Sequence, residues 1–247
     1  MLEYAILGIV QGIFEWLPIS SEGVVAVISQ FLIKNFQPLE MALFAHLGTF
    51  FAVLIYFRKE WFNVLTLKNK ILFRFLAIAV IISGIVGFLL YDAIKDMAIG
   101  NGLLLVTGLG LLFTAYCHKA RKMSEIGLNK LAIVSGILQG LAVIPGLSRS
   151  GATIFALSLG KFNPGEILKI SYMMSAPAVL AMVVFLSFQN SVLISEGWPV
   201  LLFSFLVGFL TLSFLLKIAT KINFFKFALI FAIICFLGAG LSFFIQL

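Results

Sequence analysis

Ile144-Pro145-Gly146-Leu147-Ser148-Arg149-Ser150-Gly151 interrupts an apolar stretch that otherwise runs from 130 to 160. Leu17-Pro18-Ile19-Ser20-Ser21-Glu22-Gly23 interrupts another that runs from 2 to 33. Each stretch has about 15 residues before the break and about 10 after it. Neither half can cross a bilayer, which takes about 20 mostly apolar residues. A half-length helix, a polar turn and another half-length helix describe a re-entrant hairpin. Irregular backbone of this kind survives at membrane depth only where protein or a water-filled cavity shields it from lipid.

The rest of the chain agrees with a membrane setting. It has 247 residues, 62% hydrophobic and 11% charged, with a mean hydropathy of +1.16. A soluble domain carries roughly 25% charged residues, so there is too little polar surface here to cover one. A soluble globule, a disulfide scaffold and a disordered chain are excluded. The apolar residues come in long runs rather than in alternation, which argues against a transmembrane β-barrel. The class is an all-α polytopic membrane protein forming a single membrane domain. Cys117 and Cys235 lie in apolar surroundings and read as small core residues, not as a disulfide or metal pair. The start of the chain carries Glu3 and no basic cluster before its apolar run, unlike a cleaved signal peptide.

Six segments are long enough to span: roughly 40–57, 72–91, 101–117, 167–188, 198–216 and 226–246. If the two hairpins do not cross, fifteen basic residues, from Arg58 to Lys226, fall on one side, against Lys34 and Lys95 on the other. Basic residues concentrate on the cytoplasmic side of membrane proteins. This predicts a multi-pass protein of the plasma membrane with both termini outside. The net charge of +7 is then an orientation signal, and no nucleic-acid partner is expected.

The two interrupted segments resemble each other. Gly8, Gln11, Gly12, Ser20 and Gly23 align with Gly136, Gln139, Gly140, Ser148 and Gly151 at an offset of 128. Pro38, Glu40, Ala52 and Val53 align with Pro164, Glu166, Ala178 and Val179 at an offset of 126. The reading is two repeats, about 1–117 and about 129–247, each with one hairpin and three spans. Three is odd, so the second repeat is inverted relative to the first. Inverted repeats with broken helices place a functional site near the midplane, where the breaks meet.

Charge at the bilayer centre costs roughly 2.5–3.5 kcal/mol per residue on insertion scales. Glu15, Glu22 and Arg149 therefore face the protein interior or a cavity. One reading is structural: Arg149 pairs with Glu15 or Glu22 to lock the hairpins, and the serines cap the second half-helices. The other is an anion site. Ser148-Arg149-Ser150-Gly151 opens a half-helix whose unpaired N–H groups favour phosphate. Arg149 adds a forked, permanently charged donor, and Ser20, Ser21, Ser148, Ser150 and Thr153 add hydroxyls. Carboxylates beside a phosphate need a bridging cation or a proton, which suggests Glu15 as a ligand of Mg²⁺ or Ca²⁺ held jointly with the phosphates. In a membrane, such a site suits a lipid with a phosphorylated head.

Gln11-Gly12-Ile13-Phe14-Glu15-Trp16-Leu17-Pro18-Ile19-Ser20-Ser21-Glu22-Gly23 resembles the E-G-x-x-E-[FW]-L-P-[VI]-S-S-[TS]-G-H motif of the undecaprenyl-diphosphate phosphatases, the bacitracin-resistance family. Pro145 to Ile154 resembles that family's P-G-x-S-R-S-G-A-T-I motif nearly letter for letter. Ala45-His46-Leu47-Gly48-Thr49 is similar to its H-L-G-T stretch, and Ser171 to Ala178 to its S-F-x-x-S-x-P-A stretch. The resemblance implies six spans, two re-entrant hairpins and inverted repeats. It also implies hydrolysis of a polyprenyl diphosphate to the monophosphate, recycling a glycan carrier lipid, at a site that opens outside the cell and uses a divalent cation. Carried over by position, Glu15 and Ser21 are catalytic, with Ser21 the nucleophile or hydroxyl donor. Ser148, Arg149, Ser150 and Thr153 form the phosphate cradle, which Ser20 and Gln11 extend.

Three positions depart from the family pattern, two of them at its acid–base groups. Gln11 stands for its first glutamate and Val24 for its histidine. Glutamine can hold a ligand oxygen but cannot act as a base, and valine can do neither. Loss of an acid–base group typically costs about 10²–10⁴-fold in rate. Glu22, in place of a small hydroxyl residue, supplies a second carboxylate. The chain accordingly has two functional readings: a phosphatase working through Glu15, Glu22, Ser21 and Arg149, or a non-hydrolytic lipid-phosphate binder or flippase on the same fold. His46, on the first span, and His118, in a basic turn, are its only histidines.

Overall fold

The structure, a computed structural model, describes residues 1–33, 38–94, 102–119, 126–144, 147–187 and 197–245. Every regular element among them is a helix: α1 (Leu2–Phe14), α2 (Ser21–Leu32), α3 (Pro38–Tyr56), α4 (Arg58–Leu65), α5 (Lys70–Ile94), α6 (Gly102–Lys119), α7 (Leu128–Leu141), α8 (Arg149–Ser158), α9 (Pro164–Ser187), α10 (Trp198–Ala219) and α11 (Phe224–Ile245). The chain is therefore all-α. Three of these helices are long and apolar enough to cross a membrane: Lys70–Leu90 within α5, Trp198–Ala219, and Phe224–Leu241 within α11. A fourth exists if α3 and α4, bent by 77° at their junction, are taken as one span. The connection expected at 58–71 thus contains a helix of its own, α4. Lys34, Lys95, Arg121, Lys122, Pro145 and Gly146, which entered the orientation and motif readings, lie outside the described residues, as do the side chains of Cys117 and His118.

The molecule is apolar on the outside. Leu206, Leu210 and Phe214 on α10, and Ile230, Ile233, Leu237 and Leu241 on α11, repeat at helical spacing and are exposed, as are Ile81, Ile85, Phe88 and Leu89 on α5. In water such faces would be an aggregation hazard. Against lipid tails they need no cover. The interior instead collects the polar groups: Gln11, Glu15, Ser21, Thr49, Gln139, Ser148, Ser150, Thr153 and Ser171 are all buried.

Both half-length helix pairs are built alike. α1 and α7 stop after 13 and 14 residues, and α2 and α8 restart after 6 and 7 intervening positions. Ser20 caps α2 by accepting the Gly23 N–H at 3.3 Å, and Ser148 caps α8 by accepting the Gly151 N–H at 3.2 Å. A serine ahead of the helix satisfies one of the otherwise unpaired N–H groups of the first turn.

The glycines ahead of each break are interface positions. α1 packs on α10, and a Cβ at Gly12 would lie 2.6 Å from the Gly208 nitrogen and 2.9 Å from the Val207 Cβ. α7 packs on α5, where a Cβ at Gly140 would lie 2.6 Å from the Val86 Cβ. Small residues let helix backbones approach where the hydrophobic effect offers no drive, as in lipid. α6 pairs with α11, and α3 with α9 and α10. Each half-helix pair is thereby packed on one side against longer helices, while α1 and α7 keep an exposed apolar face.

Candidate active site

The first break exposes four consecutive backbone carbonyls away from water, and each finds a side chain. Tyr172 Oη donates to Trp16 O at 2.9 Å, Ser150 Oγ to Leu17 O at 2.6 Å, and Ser148 Oγ to Ile19 O at 3.2 Å. The buried Cys235 Sγ approaches Pro18 O at 3.4 Å. An unpaired backbone group at this depth would cost several kcal/mol. The two serines come from the second break, so α8 is fastened to the first break by the residues that were read as an anion cradle. The indole of Trp16, fully buried, packs against Tyr172 with ring centroids 5.0 Å apart and planes tilted by 60°, and donates to Gly208 O at 2.9 Å. This clamp fixes the residue next to Glu15.

Glu15 follows the last residue of α1 and is 3% exposed. Its Oε1 pairs with Arg149 Nη2, at the first residue of α8. Its Oε2 accepts from Gln11 Nε2 at 2.7 Å and from Ser21 Oγ at 3.1 Å. His46 Nε2, from α3, lies 3.2 Å from the same oxygen. One carboxylate thus joins four elements: α1, α2, α3 and α8.

These side chains line a small cleft bounded by Glu15, Ser20, Ser21, Glu22, Ser148, Arg149, Ser150 and His46, with Ile19, Ala142 and Leu147 completing the wall. Arg149 lines it, and its Nη1 is buried without a hydrogen-bond partner. Two of the residues singled out from the sequence stand elsewhere. Gln11 sits behind Glu15, off the cleft wall. Thr153, one turn into α8, lies 2.6 Å from Ser171 Oγ and 2.9 Å from Arg149 O, and it tightens α8 against α9. Val24 is likewise not on the wall. The structural reading of the charged breaks is seen directly: Arg149 locks onto Glu15 and the serines cap and cross-link, while most of the same groups border the cleft.

The chain matches the family described as bacitracin resistance protein BacA over residues 4–238. It belongs to that family. Proteins named undecaprenyl-diphosphatase are similar along nearly its whole length. That of Methanothrix thermoacetophila is 32% identical over 236 residues, covering 90% of this chain and 91% of its own. That of Methanococcoides burtonii is 33% identical over 243 residues, covering 90% and 92%. That of Treponema denticola is 31% identical over 260 residues, covering 96% and 94%.

At this BacA-family cleft the chain itself offers few ligands for the divalent cation that the resemblance implies: the carboxylates on the wall are Glu15 and Glu22, and the remaining ligands would be water and substrate phosphate. Mg²⁺ and Ca²⁺ need six or more oxygen ligands, usually including carboxylates. Among the described residues no three His, Cys, Asp or Glu side chains group at metal-binding distances. Both oxygens of Glu15 are already taken, one of them by a guanidinium, and the family's other carboxylate is the amide of Gln11. The positive charge bordering the cleft is that of Arg149 and of the N-terminus of α8.

His46 is the cleft residue that sequence reasoning left unplaced. Its signal was present in one form: an ionisable side chain within an apolar span is a functional candidate by default. The carbonyl clamp formed by Tyr172 and Cys235 had no such signal, because those residues lie 156 and 217 positions from the carbonyls they meet.

Proposed function

We propose that this chain is a membrane phosphatase that hydrolyses undecaprenyl diphosphate to the monophosphate, returning a carrier lipid to use. The observation that carries the reading is the contact of Arg149 with Glu15 across the two breaks, beside Ser21, in a cleft enclosed by a lipid-facing exterior. The names of the family's relatives support it.

The residues divide the work by chemistry. The terminal phosphate enters the cleft and takes over Arg149, whose planar fork suits phosphate oxygens. The first-turn N–H groups of α8 add the helix-end field. Glu15 Oε2, released from the pull of the guanidinium, faces the Ser21 hydroxyl. Ser21, or a water in its place, attacks the terminal phosphorus and gives its proton to Glu15. The bond from that phosphorus to the bridging oxygen breaks, and the bridging oxygen leaves with the electron pair as part of the lipid monophosphate. If Ser21 attacks, water hydrolyses the phosphoserine and the proton held on Glu15 returns to Ser21. Glu22 supplies a second carboxylate on the wall. Ser20, Ser148 and Ser150 shape the pocket, while Gln11 and Thr153 support it from behind.

The same reading gives the finer architecture: six spans, two re-entrant hairpins and two inverted repeats, about 1–117 and about 129–247. Matched serine caps and matched glycine interfaces, α1 on α10 and α7 on α5, support the repeat. The cleft and both termini would face the outside of the plasma membrane, as the distribution of basic residues suggests.

The test is phosphate release from undecaprenyl diphosphate by the purified protein in liposomes. Wild type should release phosphate, and Arg149→Ala should fall by about 10²–10³-fold, the usual effect of removing a donor aimed at developing charge. Tight binding of the lipid diphosphate by wild type without any release would establish the binder or flippase reading instead.

A further inference from the structure

His46 has no part in the division of labour above, yet its geometry is among the most constrained in the cleft. Its Nδ1 lies 2.8 Å from Ala42 O, one turn back on α3, and its Nε2 lies 3.2 Å from Glu15 Oε2. The ring thus stands between two oxygens, one facing each nitrogen. Its side chain is only 12% exposed, and the bond to Ala42 O fixes the ring orientation.

Glu15 has two kinds of support. Arg149 holds Oε1, but in the reaction proposed above a phosphate competes for Arg149. Gln11 holds Oε2, but from Glu15's own helix, so it moves with α1. His46 reaches Oε2 from a separate helix and needs no contact with substrate to do so. Ser21 Oγ, 3.1 Å from the same oxygen, requires that Oε2 stay where it is when the guanidinium leaves. We propose that His46 is a positioning residue: it keeps Glu15 Oε2 facing Ser21 Oγ while Arg149 turns to the substrate phosphate. The inference rests on the phosphatase reading.

Removing an orienting partner behind a working group typically costs about 10–100-fold in activity, and this loss falls on kcat because Arg149 and the serines proposed to meet the phosphate are kept. The experiment measures kcat and KM for undecaprenyl diphosphate in liposomes with wild type, His46→Phe and His46→Gln. Rates are normalised to the folded fraction by size-exclusion chromatography. Phe keeps the ring and removes both nitrogens; Gln restores an amide donor of similar reach. The expected result is a kcat about 10–100-fold lower in His46→Phe, an unchanged KM, and substantial recovery in His46→Gln. An unchanged kcat in His46→Phe beside an active wild type overturns the inference and leaves the phosphatase reading intact. Equal losses in both variants, or a loss confined to KM, overturn it in the same way. No release from wild type refutes the phosphatase reading and this inference with it.

Discussion

Replacing Arg149 by methionine tests the lock between the two breaks. The substitution removes the guanidinium but keeps an unbranched stem, so cavity formation is small. It leaves Glu15, 3% exposed, without its cationic partner. Breaking a buried pair in this way costs about 3–5 kcal/mol. Two observations place this case at the lower end. The Arg149 side chain is 19% exposed toward the cleft, so part of its attraction is already screened. Glu15 Oε2 also keeps Gln11, Ser21 and His46. The expected loss is therefore about 3 kcal/mol. Glu15→Met alone leaves a guanidinium that can turn into the cleft water, and should cost less, about 1–3 kcal/mol. The double variant Glu15→Met/Arg149→Met removes both charges, and apolar replacement of a whole pair is often neutral. It should be more stable than Arg149→Met by itself. Reversible unfolding in mixed micelles, followed by the fluorescence of Trp16, Trp61 and Trp198, measures all three. Two outcomes refute the reasoning: Arg149→Met as stable as wild type, or a double variant whose loss equals the sum of the singles, since residues in contact should couple.

Tyr172→Phe removes the hydroxyl that pairs with Trp16 O and should destabilise by about 1–3 kcal/mol, the usual cost of an unsatisfied buried group. The same unfolding assay reads it, and Cys235→Ala should cost less because a thiol is a weak donor. Gly12→Ala and Gly140→Ala each push a Cβ to 2.6 Å from α10 or α5 and should cost about 1–3 kcal/mol through overpacking. Gly84→Ala meets nothing within 4 Å and should be neutral or stabilising by up to about 1 kcal/mol, through helix propensity alone.

Much of the local structure was legible. The breaks were read at 17–23 and 144–151. Helix α1 in fact ends at Phe14, and α2 begins at Ser21, so Ser21 and Glu22 belong to a helical first turn and not to the loop. The difference arises because Ser20 caps the helix immediately behind it. Between the spans expected at 40–57 and 72–91, α4 occupies Arg58–Leu65. Its apolar members Trp61 and Val64 pack against the core while its charges stay outside. A short amphipathic helix of that kind carries too few apolar positions to stand out beside the long spans.

By itself the sequence determined the setting and the chemistry on offer. An apolar composition forces the backbone into helices, because only helices satisfy their own groups in lipid. Proline and serine at two places forbid those helices from continuing, and three charges at the breaks must then be shielded. What it could not determine is which partner each charge chooses. Glu15 had Arg149, a metal ion or a proton open to it. In the tertiary structure Arg149 meets it, with His46, Ser21 and Gln11 around the same carboxylate. Those choices depend on how α1, α2, α3 and α8 converge, and helix convergence is set by glycine interfaces and carbonyl clamps between residues far apart in the chain. No local pattern encodes such a contact, so the residue beside Glu15 on α3 became visible only in three dimensions.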